Sequence, residues 1–203
     1  LKIVGDNKSR LFYTCGLPRS GKSTLAKRWA AERHWMTDGG TERRDDGDTL
    51  TYKFSGPAYL RLPSRPRAVL SGDEFRLAVS GSHYNLSSEG FVFAAMDAAA
   101  RALLSSGHDV MIDETCTTEQ TLLRYLLIDI DATPVFVNTP VSVCEERAIT
   151  SGREYLVPVI RKLSPQFEHF RDNFDEVHAR AKGRVLDRYR SLGSSCHPLS
   201  AVS

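Results

Sequence analysis

Gly16-Leu17-Pro18-Arg19-Ser20-Gly21-Lys22-Ser23-Thr24 has the spacing G-x-x-x-x-G-K-[ST]. Glycines at both ends let the backbone curl until successive N–H groups point inward at phosphate oxygens. A helix beginning at that point adds its N-terminal dipole. In such a loop the Lys22 ammonium reaches the β- and γ-phosphates and the Ser23 hydroxyl ligates Mg²⁺. The plain alternative is a glycine turn capped by Ser23. The flanks favour the cradle: a β-prone run, Arg10–Cys15, enters it and helix formers from Ser20 to His34 leave it. The implied cofactors are ATP and Mg²⁺.

Three more groups of residues bear on what the phosphate is for. Ser71-Gly72-Asp73-Glu74-Phe75-Arg76 follows a short strand, Arg67–Ser71, and ligands bind at the C-terminal edge of an open parallel sheet. Asp73 and Arg76 are three apart at a helix start and share a face. Asp73 there accepts a proton from an attacking hydroxyl while Arg76 steadies a phosphate or the acceptor, or else Asp73 caps the helix and Arg76 is solvated. Val110-Met111-Ile112-Asp113 ends in an acid that can hold the Mg²⁺ shell, and Glu114 beside it is either an ATPase base or a polar strand-end residue. The segment 141–158 carries Arg147 and Arg153. An arginine there closes over phosphates, its planar fork matching their oxygens, unless both arginines are surface partners of Glu145, Glu146 or Glu154.

Gly16–Thr24, Asp73-x-x-Arg76, Asp113-Glu114-Thr115 and an arginine-bearing segment before Val157-Pro158 occur in the order found in the polynucleotide 5′-hydroxyl kinases of bacteriophage end-healing type, within the P-loop kinases. The chain resembles that family over residues 10–170. The resemblance implies that Asp73 is the general base towards a 5′-hydroxyl, that Arg76 contacts the acceptor or the phosphate in flight, and that a lid arginine stabilises transition-state charge. Arg147 and Arg153 stand further apart than the family's pair. Arg153, in a glycine-flanked turn, is the favoured lid residue, with Arg147 on the preceding helix. The acceptor it implies is the 5′ end of DNA or RNA, single-stranded or end-exposed. A small-molecule hydroxyl (a sugar nucleotide as in zeta-toxin-like kinases, a nucleoside or an antibiotic) keeps the same chemistry. A nucleotide-dependent binding module is the third class, and Glu114 is its only support.

These residues need elements to hold them. Strands are expected at Arg10–Cys15, Arg67–Ser71, Asp109–Asp113 and Thr133–Asn138. Helices are expected at Ser20–His34, from Asp73, at Ser87–Ser106 closed by Gly107, from a Thr117/Gln120 capping box to Leu127, at Val141–Ile149, and from Pro158 with a break at Pro165. The alternation predicts an α/β fold: a P-loop kinase-like parallel sheet with helices on both faces. Residues 1–190 read as one domain. The stretch 36–66 is an insertion whose polar first half reads as mobile and whose second half, around Ser55-Gly56-Pro57, reads as a β-hairpin. Residues 191–203 read as a disordered tail.

Composition limits the classes. The chain has 203 residues with Lys+Arg 27 against Asp+Glu 25, a formal charge of +2, so no overall basic footprint announces nucleic acid. The near-neutral balance leans towards the small-molecule alternative. No apolar run approaches the ~18 residues of a membrane span. Four separated cysteines suit reduced thiols and a cytoplasmic location, a virus-encoded protein in its host's cytoplasm included. Asp129-Ile130-Asp131-Ala132-Thr133 mimics a D-x-D-x-T phosphatase motif, but the chain beyond it is too short for that domain, and it reads as a helix-to-strand loop. Trp29 reads as core packing rather than a base platform.

Overall fold

The computed structural model describes residues 8–31, 66–81 and 86–191, together with the backbone of strands 34–38, 41–45, 49–53 and 59–63. β1 (Leu11–Cys15) leads into α1 (Lys22–Ala31), followed by β2 (His34–Asp38), β3 (Thr41–Asp45), β4 (Thr49–Lys53) and β5 (Tyr59–Pro63). β6 (Arg67–Ser71) runs into α2 (Gly72–Ser80), then α3 (Glu89–Ser105), β7 (Asp109–Asp113), α4 (Glu119–Ile128) and β8 (Thr133–Phe136). α5 (Val141–Thr150), α6 (Val157–Asp172) and α7 (Phe174–Ser191) complete the described chain.

Phe12 and Tyr13 are neighbours on β1 and so point to opposite faces of the sheet. Phe12 packs on Trp29 of α1 with ring centroids 5.5 Å apart, and Tyr13 on Tyr125 of α4 at 4.7 Å. Helices therefore cover both faces. The strand order is β6-β7-β1-β8, every pairing parallel. From β1 the chain moves two places to β6, then reverses through β7 and past β1 to β8. Right-handed crossovers put α1 on one face and α3 and α4 on the other. The reversal brings the C-terminal ends of β1 and β7 side by side with helices leaving in opposite directions, which opens a crevice there. β7 is buried at all five positions, and Val92, Met96 and Ala100 of α3 close the core over it. Each such Val or Met contributes about 1.5–3 kcal/mol through the apolar surface it removes from water.

The structure departs from the sequence reading in five places. The first helix starts at Lys22, because Gly21 at φ +103° still belongs to the loop, and it ends at Ala31, with His34 already in β2. In place of a mobile half and a hairpin, the strands from His34 to Pro63 form a four-stranded antiparallel sheet in the order β2-β3-β4-β5. Its hairpin of β4 with β5 was legible. The polar stretch expected to be mobile contains β3, whose Thr41 pairs with Asp38 and Asp45 with His34. Thr118 caps α4 in place of Thr117: its backbone is extended (φ −137°, ψ 153°) and its hydroxyl accepts from the Thr121 N–H at 3.2 Å. Pro165 does not break α6. It lies on the solvent side, where water can satisfy the carbonyl of exposed Arg161, while Ile160, Ser164, Phe167 and Phe170 hold the other side in the core. α7 had no counterpart in the sequence reading. Asp129 and Asp131 do lie in a helix-to-strand loop, where Lys8 bridges both and Lys182 pairs with Asp131. The Ser55-Gly56-Pro57 turn and the tail 192–203 lie outside the described residues. Among the described residues no helix is long and apolar enough to cross a membrane.

Candidate active site

The loop leaving β1 is shaped by what surrounds it. A Cβ on Gly16 would lie 2.9 Å from the carbonyl oxygen of Val137, a backbone atom that cannot step aside, so this position admits only glycine. Arg19 holds φ +64°, a left-handed conformation that costs a residue with a side chain about 1–3 kcal/mol and is kept only where its surroundings enforce it. The loop's carbonyls are taken from outside. Lys22 Nζ donates to Leu17 O at 2.7 Å, the Thr139 hydroxyl to Ser20 O at 2.7 Å, and Arg147 Nη1 lies 3.3 Å from both Arg19 O and Ser20 O. In a trans peptide the N–H points opposite to its carbonyl, so drawing these oxygens outward turns the partnered amides the other way.

The electrostatics concentrate on one cluster, drawn from the loop after β1, the start of α1 and the end of β7. Lys22 is 8% exposed, and burial pulls its pKa down against the pull of Asp113. Asp113, at the end of β7, is 7% exposed. Burial pushes its carboxyl up, while a hydrogen bond from Ser23 and the Lys22 charge draw it back. Arg19 Nε and Ser20 Oγ are buried in the same loop with no hydrogen-bond partner among the described residues. Buried donors left unmade cost about 1–3 kcal/mol each, which is the mark of atoms waiting for a ligand.

Across the crevice β6 delivers the acid. Ser71 pairs with Asp113 in the sheet, and α2 starts at the next residue. Asp73, in that first turn, is exposed. Its Oδ1 accepts from Arg76 Nη1 at 3.0 Å, and its charge reaches both Lys22 and Asp113. Arg76 is further clamped by Glu89 of α3, through Nε at 2.7 Å and Nη2 at 3.0 Å. Glu114 lies between two arginines. Its Oε2 pairs with Arg124 and accepts from the Tyr125 hydroxyl at 3.0 Å, and its Oε1 is 3.9 Å from Arg76 Nη2. A carboxylate so engaged orients its neighbours, and the ATPase-base reading of Glu114 finds no support in this geometry.

Gly72 makes the approach possible. A Cβ there would lie 2.7 Å from Glu114 Oε1 and 3.1 Å from Arg76 Nη1, side-chain atoms already locked by their own partners. Gly72→Ala is expected to destabilise the protein by about 1–3 kcal/mol through overpacking. It should also shift the Asp73–Arg76 pair. A lowered midpoint in chemical denaturation checks the first effect; an unchanged midpoint would mean that Glu114 is freer than its contacts imply.

Arg19, Lys22, Ser23, Asp73, Arg76, Asp113, Glu114 and Arg124 line one cavity of about 1860 Å³, which also takes in Arg147, Arg153 and Tyr155 from the 141–158 segment. Single small ligands occupy about 300–1,000 Å³, so the space suits two. The sequence-predicted residues Gly21, Lys22, Ser23, Asp73, Arg76, Asp113, Arg147 and Arg153 are thus brought to one crevice. Arg147, not Arg153, is the arginine that touches the loop; the Arg153 side chain meets no partner among the described residues. Sequence reasoning missed Phe93, Glu89, Asp97 and Arg124. The only signal was Gln120, Thr121 and Arg124 at helical spacing after Asp113-Glu114.

No family model matches the chain, and no curated protein matches it. Among solved structures 24 chains do. One, from the structure of the Pnkp1/Rnl/Hen1 RNA repair complex, aligns with 85% of this chain at 18% identity and a TM-score of 0.60. The fold is P-loop kinase-like. A second, from a structure of the Pnkp1/Rnl/Hen1 complex, aligns with 72% of this chain at 19% identity and a TM-score of 0.51. The alignments take up 48% and 41% of those chains, so this chain spans about half the length of the structures it matches. At such identities the likeness is one of fold.

Proposed function

We propose that the protein is a phosphotransferase that moves the γ-phosphate of ATP to the 5′-hydroxyl of a polynucleotide, within a single domain over residues 1–190. The observation that carries this reading is the shared crevice: a carboxylate, Asp73, opens onto the same cavity as buried Lys22 and Asp113, the exposed Ser23 beside them, and the loop donors left unsatisfied among the described residues. Likeness in fold to chains of an RNA repair complex supports a nucleic-acid end as the acceptor.

The residues present fit a magnesium nucleotide. Ser23 and Asp113 offer a hydroxyl and a carboxylate close enough for the hydroxyl to favour the charged acid, the hard oxygen donors that Mg²⁺ takes with water and phosphate. Mg²⁺ held there neutralises charge on the phosphate oxygens. Lys22 and the Gly16–Thr24 amides hold the phosphates, and Arg19 Nε and Ser20 Oγ gain acceptors. Arg147, fixed on the loop backbone, meets charge on the transferring group, and Arg153 swings in from the lid. Asp73 orients the acceptor hydroxyl. Its Oδ1 is occupied by Arg76, so Oδ2 takes the proton as the acceptor oxygen bonds to phosphorus and the bridge oxygen to ADP departs.

Incubation with γ-labelled ATP, Mg²⁺ and a panel of 5′-hydroxyl oligonucleotides, nucleosides and sugar nucleotides tests the proposal. Label on an oligonucleotide is the expected result. Label on a small molecule alone selects the other kinase reading, and free phosphate alone selects the binding module.

A further inference from the structure

Leu17-Pro18-Arg19-Ser20, in the middle of the loop after β1, closes as a β-turn in which the Ser20 N–H donates to Leu17 O at 3.2 Å. The pyrrolidine ring fixes φ at about −65° for Pro18, the second residue of the turn. Arg19, the third, has φ +64°. Negative φ followed by positive φ is the type II turn, whose third position asks for glycine. Among the described residues every other positive φ belongs to a glycine: Gly21, Gly81, Gly107 and Gly152. Arg19 is therefore held against its own backbone preference. Arg147 Nη1 does this from the carbonyls of Arg19 and Ser20, and the Thr139 hydroxyl from that of Ser20.

The side chain contributes no visible contact to the fold. Nε is buried without a hydrogen-bond partner, and the guanidinium meets no carboxylate and no ring among the described residues. Arg76, Arg124 and Arg161 by contrast each pair with an acid. Arg19 lines the cavity together with Lys22, Ser23 and Asp113. A strained backbone, pinned carbonyls and an idle buried donor in one residue describe a cation preorganised for charge that comes with the reaction.

We infer that Arg19 is a catalytic residue: from within the loop its guanidinium donates through Nε to a phosphate oxygen of ATP that gains charge in the transition state. The transfer it serves joins the acceptor oxygen to the γ-phosphorus and cleaves that phosphorus from the bridge oxygen. The electron pair of the broken bond leaves with ADP and the hydroxyl proton goes to Asp73. Arg19 makes and breaks no covalent bond. The inference rests on the phosphotransferase reading and adds a cation of the loop itself to the arginines of the 141–158 segment.

Arg19→Gly and Arg19→Gln test it, each measured without ligand and in transfer from ATP to the acceptor that the wild type labels best. Glycine relieves the strained φ, and its greater freedom when unfolded offsets only part of the gain. The free Arg19→Gly protein should therefore melt about 2–4 °C above the wild type, and Arg19→Gln, which keeps the strain, close to it. Both should lose about 100-fold in kcat, the effect of one preorganised donor at developing charge, while the Kd for ATP with Mg²⁺ changes less than about 10-fold. Free guanidinium, at concentrations that leave the melting midpoint unmoved, should restore part of the rate to Arg19→Gly. It should restore none to Arg19→Gln, whose side chain fills the space. A side chain that only braces the loop gives the reverse: a lower midpoint in Arg19→Gly and no rescue. That pattern, a wild-type kcat in Arg19→Gly, or an ATP affinity that falls as far as kcat overturns the assignment. Label on a small molecule in place of an oligonucleotide removes the 5′-kinase reading, and the same comparison made with that acceptor still decides for or against Arg19. Absence of transfer to any acceptor removes both.

Discussion

Asp73→Asn is expected to slow phosphate transfer by about 1,000-fold while leaving nucleotide affinity unchanged. Asparagine keeps the shape of the side chain, and its carbonyl oxygen can still accept from Arg76 Nη1, so the first turn of α2 and the Glu89–Arg76 clamp stay in place. What is lost is the second oxygen as a proton acceptor. Positioned general bases contribute about 100- to 10,000-fold, and a site that both orients and deprotonates lies within that range. The nucleotide side of the crevice does not depend on Asp73 for any hydrogen bond: Lys22 is held by Leu17 O and Asp113 by Ser23. Single-turnover transfer and equilibrium titration of ATP on the same preparation separate the two effects. A variant that transfers at the wild-type rate removes Asp73 as the base; a variant that loses both transfer and ATP binding shows that the carboxylate supports the cradle instead.

The elements that carry this chemistry were legible because their signals are local. Gly16, Gly21, Lys22 and Ser23 lie within eight positions, and Asp109–Asp113 is a compact β-prone run that the structure reproduces residue for residue. β3 was not legible, since Thr-Glu-Arg-Arg-Asp carries no alternation of apolar residues. Its pairing comes from neighbours on both sides, not from its own composition. α7 hides for a related reason. Its buried stripe is only Val177, Ala181 and Val185, three small side chains four apart among many charges. Glu119 of α4, paired with Arg180 and Arg184, supplies an anchor that no local window contains.

The acceptor wall shows the same limit more sharply. Glu89, Glu114 and Arg124 come from α3, the end of β7 and α4, and read singly each is an ordinary surface charge. Only the fold makes them a chain of alternating charge from Asp97 through Arg124, Glu114 and Arg76 to Glu89. The 141–158 segment shows how geometry can reorder a sequence preference. Arg153 was favoured for its turn between Gly152 and the helix start, yet α5 projects Arg147 onto the loop itself. Spacing along the chain measures neither of these distances.

Lys22→Met should reduce transfer by about 1,000-fold and also abolish the rise in thermal midpoint that ATP and Mg²⁺ give the wild type. Preorganised cations at developing phosphate charge are worth about 100- to 1,000-fold each, and Lys22 is in addition the buried cation of the cradle. Ligand binding to the native state alone raises the midpoint by mass action, so a variant without affinity shows no rise. The free protein carries a second signature, whose sign follows from Asp113. Burial raises the Asp113 pKa above its unfolded value, so its favourable contribution is present at low pH and is lost as pH rises through the folded pKa. Lys22 opposes that loss by stabilising the charged carboxylate. Methionine removes the largest cationic opposition and leaves a buried anion with the Ser23 hydroxyl and the weaker Lys27 charge in its favour and the Asp73 charge against it. The free variant should therefore be less stable than the wild type at pH 7, and the gap should narrow as the pH falls and Asp113 takes up its proton. Midpoints measured from pH 7 downwards check the prediction. Parallel curves for the two proteins would mean that Lys22 and Asp113 are not electrically coupled, and the cradle would then lack the pairing on which its preorganisation depends.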